Sequence, residues 1–478
     1  MSRDSGFGVE VSKGFVAKIL VAVVGFGGSI VFARVLGPTG YGAFHVIVAV
    51  ASVLDNPVMG FASACKKRIS EHDHDTGAIM TAGLLVAGFG SLLVFGGILT
   101  IAPYVDYFDI ENGWLYVAIV FTGVVFFKVL QEMVAGIGHF GTAVVLDMLR
   151  SILTIPLQLL LVVFFGLGVS GMVYGLALAS LLMLPLTLFV MAVRPSVPDR
   201  RTLKSLWQFA RFSVPNNFVG TAYSRLDVLL LSAMLGSAAA GQYQIALQLV
   251  LPGLLLSSVM ASGLFVEVSS QVSQNEAIDR QVTNNVAFAS LFAVPIFFGA
   301  LAMPESIVVT VFGDEYREAA PLLVGLSIYQ ILQTQSTQIT SVLSGQDRPD
   351  LNLWIRTVTL ITNLILGIAL VFWVGPIGVV MATVIAECIN YILTTHYARR
   401  YVTYEILPEP LRCQLYSGGI MFVIVQVAHW VLGVNSWVDL GILICLGVLV
   451  YGTTLTLLSN VFMLTVRSVL NEVQKQYL

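Results

Sequence analysis

The chain has 478 residues, of which 57% are hydrophobic and 11% charged, and it carries a formal net charge of −3. A soluble domain carries about 25% charged residues, so a water-soluble globule of this size is excluded for want of polar surface. The slightly acidic balance gives no electrostatic case for nucleic acid, and the cysteines (Cys65, Cys388, Cys413, Cys445) show no CxxC or other metal-ligand spacing.

Only helices and closed barrels satisfy their backbone groups in lipid. A barrel would show short alternating segments, whereas 83–101 is an uncharged, almost wholly apolar run and 144–165 is predominantly apolar without alternation. The fold class is therefore an all-α polytopic membrane protein. A helix needs roughly 20 apolar residues to cross the hydrocarbon core. By that measure the chain holds about 14 transmembrane helices: 14–34, 41–62, 77–101, 114–138, 144–166, 169–193, 207–233, 242–265, 284–312, 319–343, 351–373, 377–397, 413–432 and 438–465. The first block, around Phe15 to Phe32, is long enough to span and lacks a following A-x-A site, so it reads as a spanning helix rather than a cleaved signal.

Short-loop Lys/Arg bias sets orientation. With the N-terminus in the cytoplasm, the inner segments hold 16 basic residues, including Lys66, Lys67, Arg68, Arg194, Arg200, Arg201, Lys204, Arg399, Arg400 and Arg412. The outer loops hold Arg317, with Arg34 at a boundary, and are otherwise acidic: Asp106, Asp109, Glu111, Asp314, Glu315 and Glu318. Both termini are thus expected in the cytoplasm.

The sequence also repeats. Leu36-Gly37, Gly40-Tyr41-Gly42 and Phe44 recur as Leu235-Gly236, Ala239-Ala240-Gly241 and Tyr243 at an offset of 199, and Gly168 and Gly171 match Gly375 and Gly378 at an offset of 207. The repeated unit contains six spans, an even number, which makes the two copies parallel. Parallel repeats commonly frame a midplane site. The expected organisation is a six-helix lobe over 1–193, a basic cytoplasmic linker over 194–206, a second six-helix lobe over 207–400 and two additional helices over 401–478.

These residues carry a family resemblance. The run Ala33-Arg34-Val35-Leu36-Gly37-Pro38-Thr39-Gly40-Tyr41-Gly42 lies between the first two spans, and Asp227-Val228-Leu229-Leu230-Leu231 precedes Leu235-Gly236 and Gly241-Gln242-Tyr243. Phe312-Gly313-Asp314-Glu315-Tyr316, with Ala319-Ala320, and Ser344-Gly345-Gln346 follow in order. Together they resemble the polysaccharide-biosynthesis flippases of the MOP superfamily, the Wzx-like oligosaccharide-lipid translocases. That resemblance implies a V-shaped pair of lobes that moves a lipid-linked glycan from the cytoplasmic to the outer leaflet of the plasma membrane by alternating access. It implies a lipid-linked oligosaccharide as substrate and glycan-assembly enzymes as partners. The superfamily also contains lipid II flippases and cation-coupled multidrug extruders.

A lipid-linked sugar presents phosphate or pyrophosphate, which the planar fork of Arg binds through two oxygens. Ionisable residues inside spans are the natural candidates. The basic ones are Arg34, Lys128, Arg150, Arg225 and Arg356. Structural readings compete with this role. Lys128 has Glu132 at i+4 and Arg150 has Asp147 at i−3, while Arg34 and Arg356 lie close enough to span ends to snorkel. Arg225 and Asp227 point to different faces of span seven, so they do not cancel each other.

The acids Asp55, Asp227 and Glu387 are candidates for coupling to H+ or Na+. Asp55 precedes Asn56-Pro57, where proline kinks a helix, so its bland role is to cap that kink. Glu387 has Asn390 one turn on. The run Ser213-Val214-Pro215-Asn216-Asn217 predicts a polar interruption of span seven. Gly166-x-Gly168-x-x-Gly171 fits a dinucleotide fingerprint but joins two spans, so it reads as a tight turn. Glu71-His72-Asp73-His74-Asp75 follows a basic run in an inner loop and reads as solvated charge. No catalytic motif, resident cofactor or metal site is expected, and the function class is transport, with a cation-coupled organic-cation exporter as the rival to the glycan flippase.

Overall fold

The computed structural model describes residues 4–71, 75–102, 104, 107–274, 278–434, 436–465 and 467. His72, Asp73, His74 and Asp106 lie outside the described residues. Among the described residues all regular structure is helical. The chain divides into two compact units, Met1–Gly241 and Gln242–Leu478.

The first unit contains α1 (Asp4–Leu54), α2 (Asn56–Ser70), α3 (Thr76–Ile101), α4 (Gly113–Gly136) and α5 (Phe140–Leu159), which runs on into a π-turn over Leu160–Phe164. It continues with α6 (Gly168–Leu182), α7 (Leu184–Met191) and α8 (Arg200–Leu235). Helix α4 is central and packs against α1, α2, α3, α5, α6 and α7. Its Phe121, Val125, Phe127, Leu130 and Met133 are buried, and glycines on both sides of its contacts allow close packing. A Cβ on Gly83 would lie 2.2 Å from the Met133 side chain, and one on Gly123 would lie 2.8 Å from the Ala177 backbone. Helix α8 belongs by sequence to the second repeat, yet it packs on α1 and α2 and clusters with the first unit.

Helix α9 (Ser237–Val250) crosses the boundary. The second unit continues with α10 (Leu254–Gln274), α11 (Asp279–Phe288), α12 (Ala293–Ala302), α13 (Pro304–Phe312) and α14 (Ala319–Gly345). It ends with α15 (Pro349–Val374), α16 (Pro376–Ala398), α17 (Glu409–Leu432) and α18 (Trp437–Leu458). Here α14 is central and packs on α10, α12 and α16.

Among the described residues, 12 helices are long and apolar enough to cross a bilayer, rather than the expected fourteen. Two local effects account for the difference. The first two blocks run together as α1, which changes direction at Gly37 (φ 64°, ψ 178°) and resumes at Pro38; proline is favoured at a helix start because it has no N–H to leave unbonded. The tenth block, α14, is diluted by Gln330, Gln333, Gln335, Gln338 and interleaved Ser and Thr, which lowers its hydropathy.

The ninth block, expected as one long helix, is three. Pro295 cannot donate to the Leu291 carbonyl, and its ring pushes that carbonyl away. The chain accordingly leaves helical geometry between α11 and α12. Side chains from three other helices fill the gaps: Gln335 Nε2 donates to Val286 O (3.2 Å), Gln414 Nε2 to Ala287 O (2.8 Å) and the Tyr451 hydroxyl to Leu291 O (3.1 Å). The additional C-terminal helices α17 and α18 are therefore tied to the second unit through this break.

The aligned glycines share backbone conformation. Gly37 and Gly236 both have positive φ with extended ψ, and Gly168 and Gly375 both have positive φ. Gly42 and Gly241, equivalent by the offset of 199, meet each other. A Cβ on Gly42 would lie 1.8 Å from Ser237 O and 2.7 Å from Gly241 N, and one on Gly241 would lie 2.1 Å from Pro38 O and 3.1 Å from Gly42 N. Pro38 and Ser237 are themselves equivalent, so the contact is reciprocal.

Candidate functional site

The first unit gathers three of the sequence candidates. Asp55 is the single residue between α1 and α2, and its backbone keeps helical hydrogen bonds on both sides, from its N–H to Ala51 O and from Met59 N–H to its carbonyl. Pro57 withdraws the donor that Val53 O would otherwise have, and Asn56 Nδ2 replaces it at 3.0 Å. Asn56, not Asp55, repairs the kink, so the expected capping role of Asp55 is not what the structure contains. The Asp55 carboxylate is left to accept from Lys128 Nζ on α4 at 2.8 Å.

This corrects the expected i,i+4 pair of Lys128 with Glu132. Glu132 pairs instead with Lys66 on α2 at 3.0 Å. The Asp55 side chain is 10% exposed and that of Lys128 36%, so the acid is enclosed while the lysine side chain is partly exposed.

Arg225 on α8 lies within electrostatic reach of both Asp55 and His45. Helix α8 is placed there by a close crossing with α2, where a Cβ on Gly60 would fall 2.6 Å from the Val214 backbone. Ser213 Oγ donates to Gly60 O (2.6 Å) and Asn217 Nδ2 to Ser63 Oγ (3.3 Å). The predicted interruption of span seven is absent: α8 is continuous through Pro215, and its polar run is used in docking on α2. His45 was not singled out by the sequence reading. It stacks edge-on with Tyr41 (4.6 Å between centroids) and Phe44 (5.3 Å), and a lone imidazole one turn after the repeated glycine motif is the signal that could have found it.

The other candidates lie elsewhere. Arg150 pairs with Asp147 at 2.9 Å and its guanidinium sits 5.5 Å from the Phe127 ring centroid, which fixes it on the α4–α5 contact. Arg34 is exposed one turn before the Gly37 bend of α1, and Asp227 is buried on α8. Arg356 and Glu387 belong to the second unit. Arg356 is exposed on α15 and forms no ion pair among the described residues. Glu387 is 1% exposed and its Oε1 accepts from the Ser336 hydroxyl and from Asn390 Nδ2 (2.9 Å).

Around Glu387 runs a polar seam that sequence reasoning missed. Ser290 and Thr334 hydroxyls bond at 2.8 Å, Gln335 donates to Ser290 Oγ at 2.7 Å and Gln338 to Ser257 Oγ at 2.8 Å. The amide-rich repeat within an otherwise apolar span was the available signal.

Chemically, the α1–α2 junction, α4 and α8 bring Asp55 into an ion pair with Lys128 and set Arg225 within electrostatic range of the same carboxylate, all in one unit. The surplus is one positive charge in a setting of reduced dielectric, where an unmatched charge attracts a counter-ion strongly. Such a set suits a phosphate-bearing ligand, with the Arg fork for two oxygens and Lys as a point charge.

Comparison with known proteins follows the same line. Residues 31–321 match the model of a polysaccharide biosynthesis protein family. Over 449 residues the chain is 27% identical to the "Probable low-salt glycan biosynthesis flippase Agl15" of Haloferax volcanii, covering 93% of this chain and 94% of that protein. It is 23% identical to the "Probable flippase AglR" of the same organism, covering 98% and 97%. Among solved structures it resembles the lipid II flippase MurJ in an inward closed conformation, with a TM-score of 0.76, 16% identity and coverage of 92% and 97%. An inward-facing MATE multidrug transporter of the MOP superfamily gives a TM-score of 0.63 at 14% identity, covering 81% and 98%. A multi-pass helical fold of the MurJ and MATE type and a family match over more than half its length make this chain a member of the polysaccharide biosynthesis protein family.

Proposed function

We propose that the chain is a flippase that carries a polyprenyl- or dolichyl-(pyro)phosphate-linked saccharide from the cytoplasmic to the outer leaflet of the plasma membrane by alternating access, with both termini in the cytoplasm. The observation that carries this reading is the Asp55–Lys128–Arg225 cluster, whose charge is net positive and whose lysine side chain is partly exposed. Lys128 and Arg225 bind the phosphate of the carrier, and Asp55 holds Lys128 in place when the site is empty. Of two relatives covering nearly the whole chain, one is named a probable glycan biosynthesis flippase and the other a probable flippase, which supports the substrate class. Glycan-assembly enzymes supply the substrate.

An exporter of organic cations is the weaker reading, because a net positive cluster repels such cargo. Coupling to H+ or Na+ falls to Asp55 and Glu387, each enclosed and each held by a partner that a proton or cation would displace.

The test is a deletion strain complemented with variants. The deletion should accumulate lipid-linked saccharide on the cytoplasmic leaflet, and Arg225→Ala or Lys128→Ala should fail to relieve it at wild-type membrane abundance. Full relief by both variants would remove the cluster from the transport pathway, and sensitivity to cationic drugs without saccharide accumulation would favour the exporter.

A further inference from the structure

Helix α8 is longer than a bilayer crossing requires. Its 36 residues rise about 54 Å at 1.5 Å each, against a hydrocarbon core of about 30 Å. It ends at the Gly236 turn; on the orientation proposed above, the surplus of several turns lies at its inner, N-terminal end, beginning at Arg200.

That end has three distinct faces. Thr202, Leu206 and Ala210, spaced four apart, are buried in the first unit, where Arg68 Nη2 also donates to Ser205 O at 3.3 Å. Arg200, Lys204 and Arg211 share the opposite face at helical spacing, with Arg201 beside them, and all four are exposed. Flanking this basic face are large exposed apolar side chains: Leu203 at 44%, Trp207 at 65% and Phe212 at 67% exposure.

Nearby carboxylates are already engaged. Glu71 is held by Lys67 and Arg68, Glu132 by Lys66, and Asp199 accepts from Thr202 N–H at 2.8 Å. Among the described residues, no carboxylate forms an ion pair with Arg200, Arg201, Lys204 or Arg211. A basic ridge bordered by Trp and Phe, at the level where a spanning helix leaves the hydrocarbon, matches an anionic membrane surface in both charge and polarity profile.

We propose that Arg200, Arg201, Lys204 and Arg211 form a binding face for anionic phospholipid headgroups of the inner leaflet. The face is separate from the Asp55–Lys128–Arg225 cluster and does not depend on what that cluster transports. Leu203, Trp207 and Phe212 sit among the acyl chains at the rim while the four cations contact phosphates.

The experiment titrates the full-length protein in neutral detergent with phosphatidylglycerol, with phosphatidylcholine as reference, and reads binding by thermal shift. Phosphatidylglycerol should bind saturably at 50 mM salt and phosphatidylcholine should not. Each basic side chain changed to Gln should weaken binding about fivefold at low salt, and R200Q/R201Q/K204Q/R211Q should abolish saturation. R200K/R201K/R211K should bind within about twofold of wild type, because a diffuse anionic surface reads charge rather than fork geometry. Should the fourfold variant not fold, K204Q/R211Q should still show roughly a twenty-five-fold loss under the same rule. Undiminished phosphatidylglycerol binding in either Gln variant, or equal binding of the two lipids by wild type, would overturn the assignment. Loss of affinity in the Lys variant equal to that in the Gln variant would overturn it as well.

Discussion

Lys128 Nζ lies 2.8 Å from Asp55 Oδ2 across 73 positions of sequence, while Glu132, one turn along the same helix, pairs with Lys66 at 3.0 Å. The two pairs tie α4 to the α1–α2 junction and to α2 through different partners, so Lys128 is held by a contact between helices rather than within one. Removing one partner strands the other in a poorly solvated site. Lys128→Ala and Asp55→Asn should each lower stability by about 1–3 kcal/mol, less than a fully buried pair because the Lys128 side chain is partly exposed. The double variant should lose less than the sum. Thermal unfolding in detergent, arranged as a double-mutant cycle, measures the coupling, and strict additivity would dissolve the pair.

The glycine contact sets a harder limit. A methyl on Gly42 or Gly241 would sit inside the contact distance of a backbone oxygen, 1.8 Å and 2.1 Å away respectively. Either Gly→Ala change should cost about 3 kcal/mol or more and reduce the yield of monodisperse protein sharply. Gly25→Ala and Gly96→Ala meet nothing within 4 Å and should be recovered at wild-type yield.

The broken ninth block gives a graded series. Gln335→Leu and Gln414→Leu each leave a buried carbonyl, Val286 O or Ala287 O, without its donor and should destabilise by about 1–3 kcal/mol. Tyr451→Phe removes only a hydroxyl and should fall at the low end. Unfolding midpoints of the three variants test the order.

The contact between Asp75 and the segment joining α7 to α8 should be acid-sensitive. Asp75 caps α3 through Gly77 N–H and accepts from Ser196 Oγ. The Ser196 hydroxyl first, then Gly77 N–H, hold its carboxyl below its ordinary value. A depressed carboxylate contributes at pH above its unfolded value of about 4, and that contribution is lost as pH falls through the lowered folded value. A spin label at exposed Val197 should gain mobility below about pH 4, and Asp75→Ala should show the mobile spectrum already at neutral pH. A label whose mobility does not change from neutral pH down to pH 2 would exclude that sensitivity.

The sequence carried the helical class, the membrane environment and the glycine repeat, because each depends on local composition or on spacing along the chain. It offered Glu132 as the partner of Lys128 because i,i+4 spacing was the only proximity available to it, and Asp55 is brought near only when α4 packs beside the α1–α2 junction. It predicted an interruption at Ser213 to Asn217 because proline beside polar residues is ambiguous until the neighbouring helix is known. Once Gly60 admits α8, those polar groups have partners on α2. The seam around Glu387 was missed for a related reason: glutamines spread over one span show their purpose only when Ser257 and Ser290 arrive from other helices.

Because a side chain on Gly42 would strike Ser237 O and one on Gly241 would strike Pro38 O, each in the segment that carries the other glycine, the two positions are constrained together. Gene duplication usually frees one copy of a motif to drift, but here neither copy can relax, since a change in either obstructs both. This contact is therefore where the two copies of the motif should tolerate the least divergence.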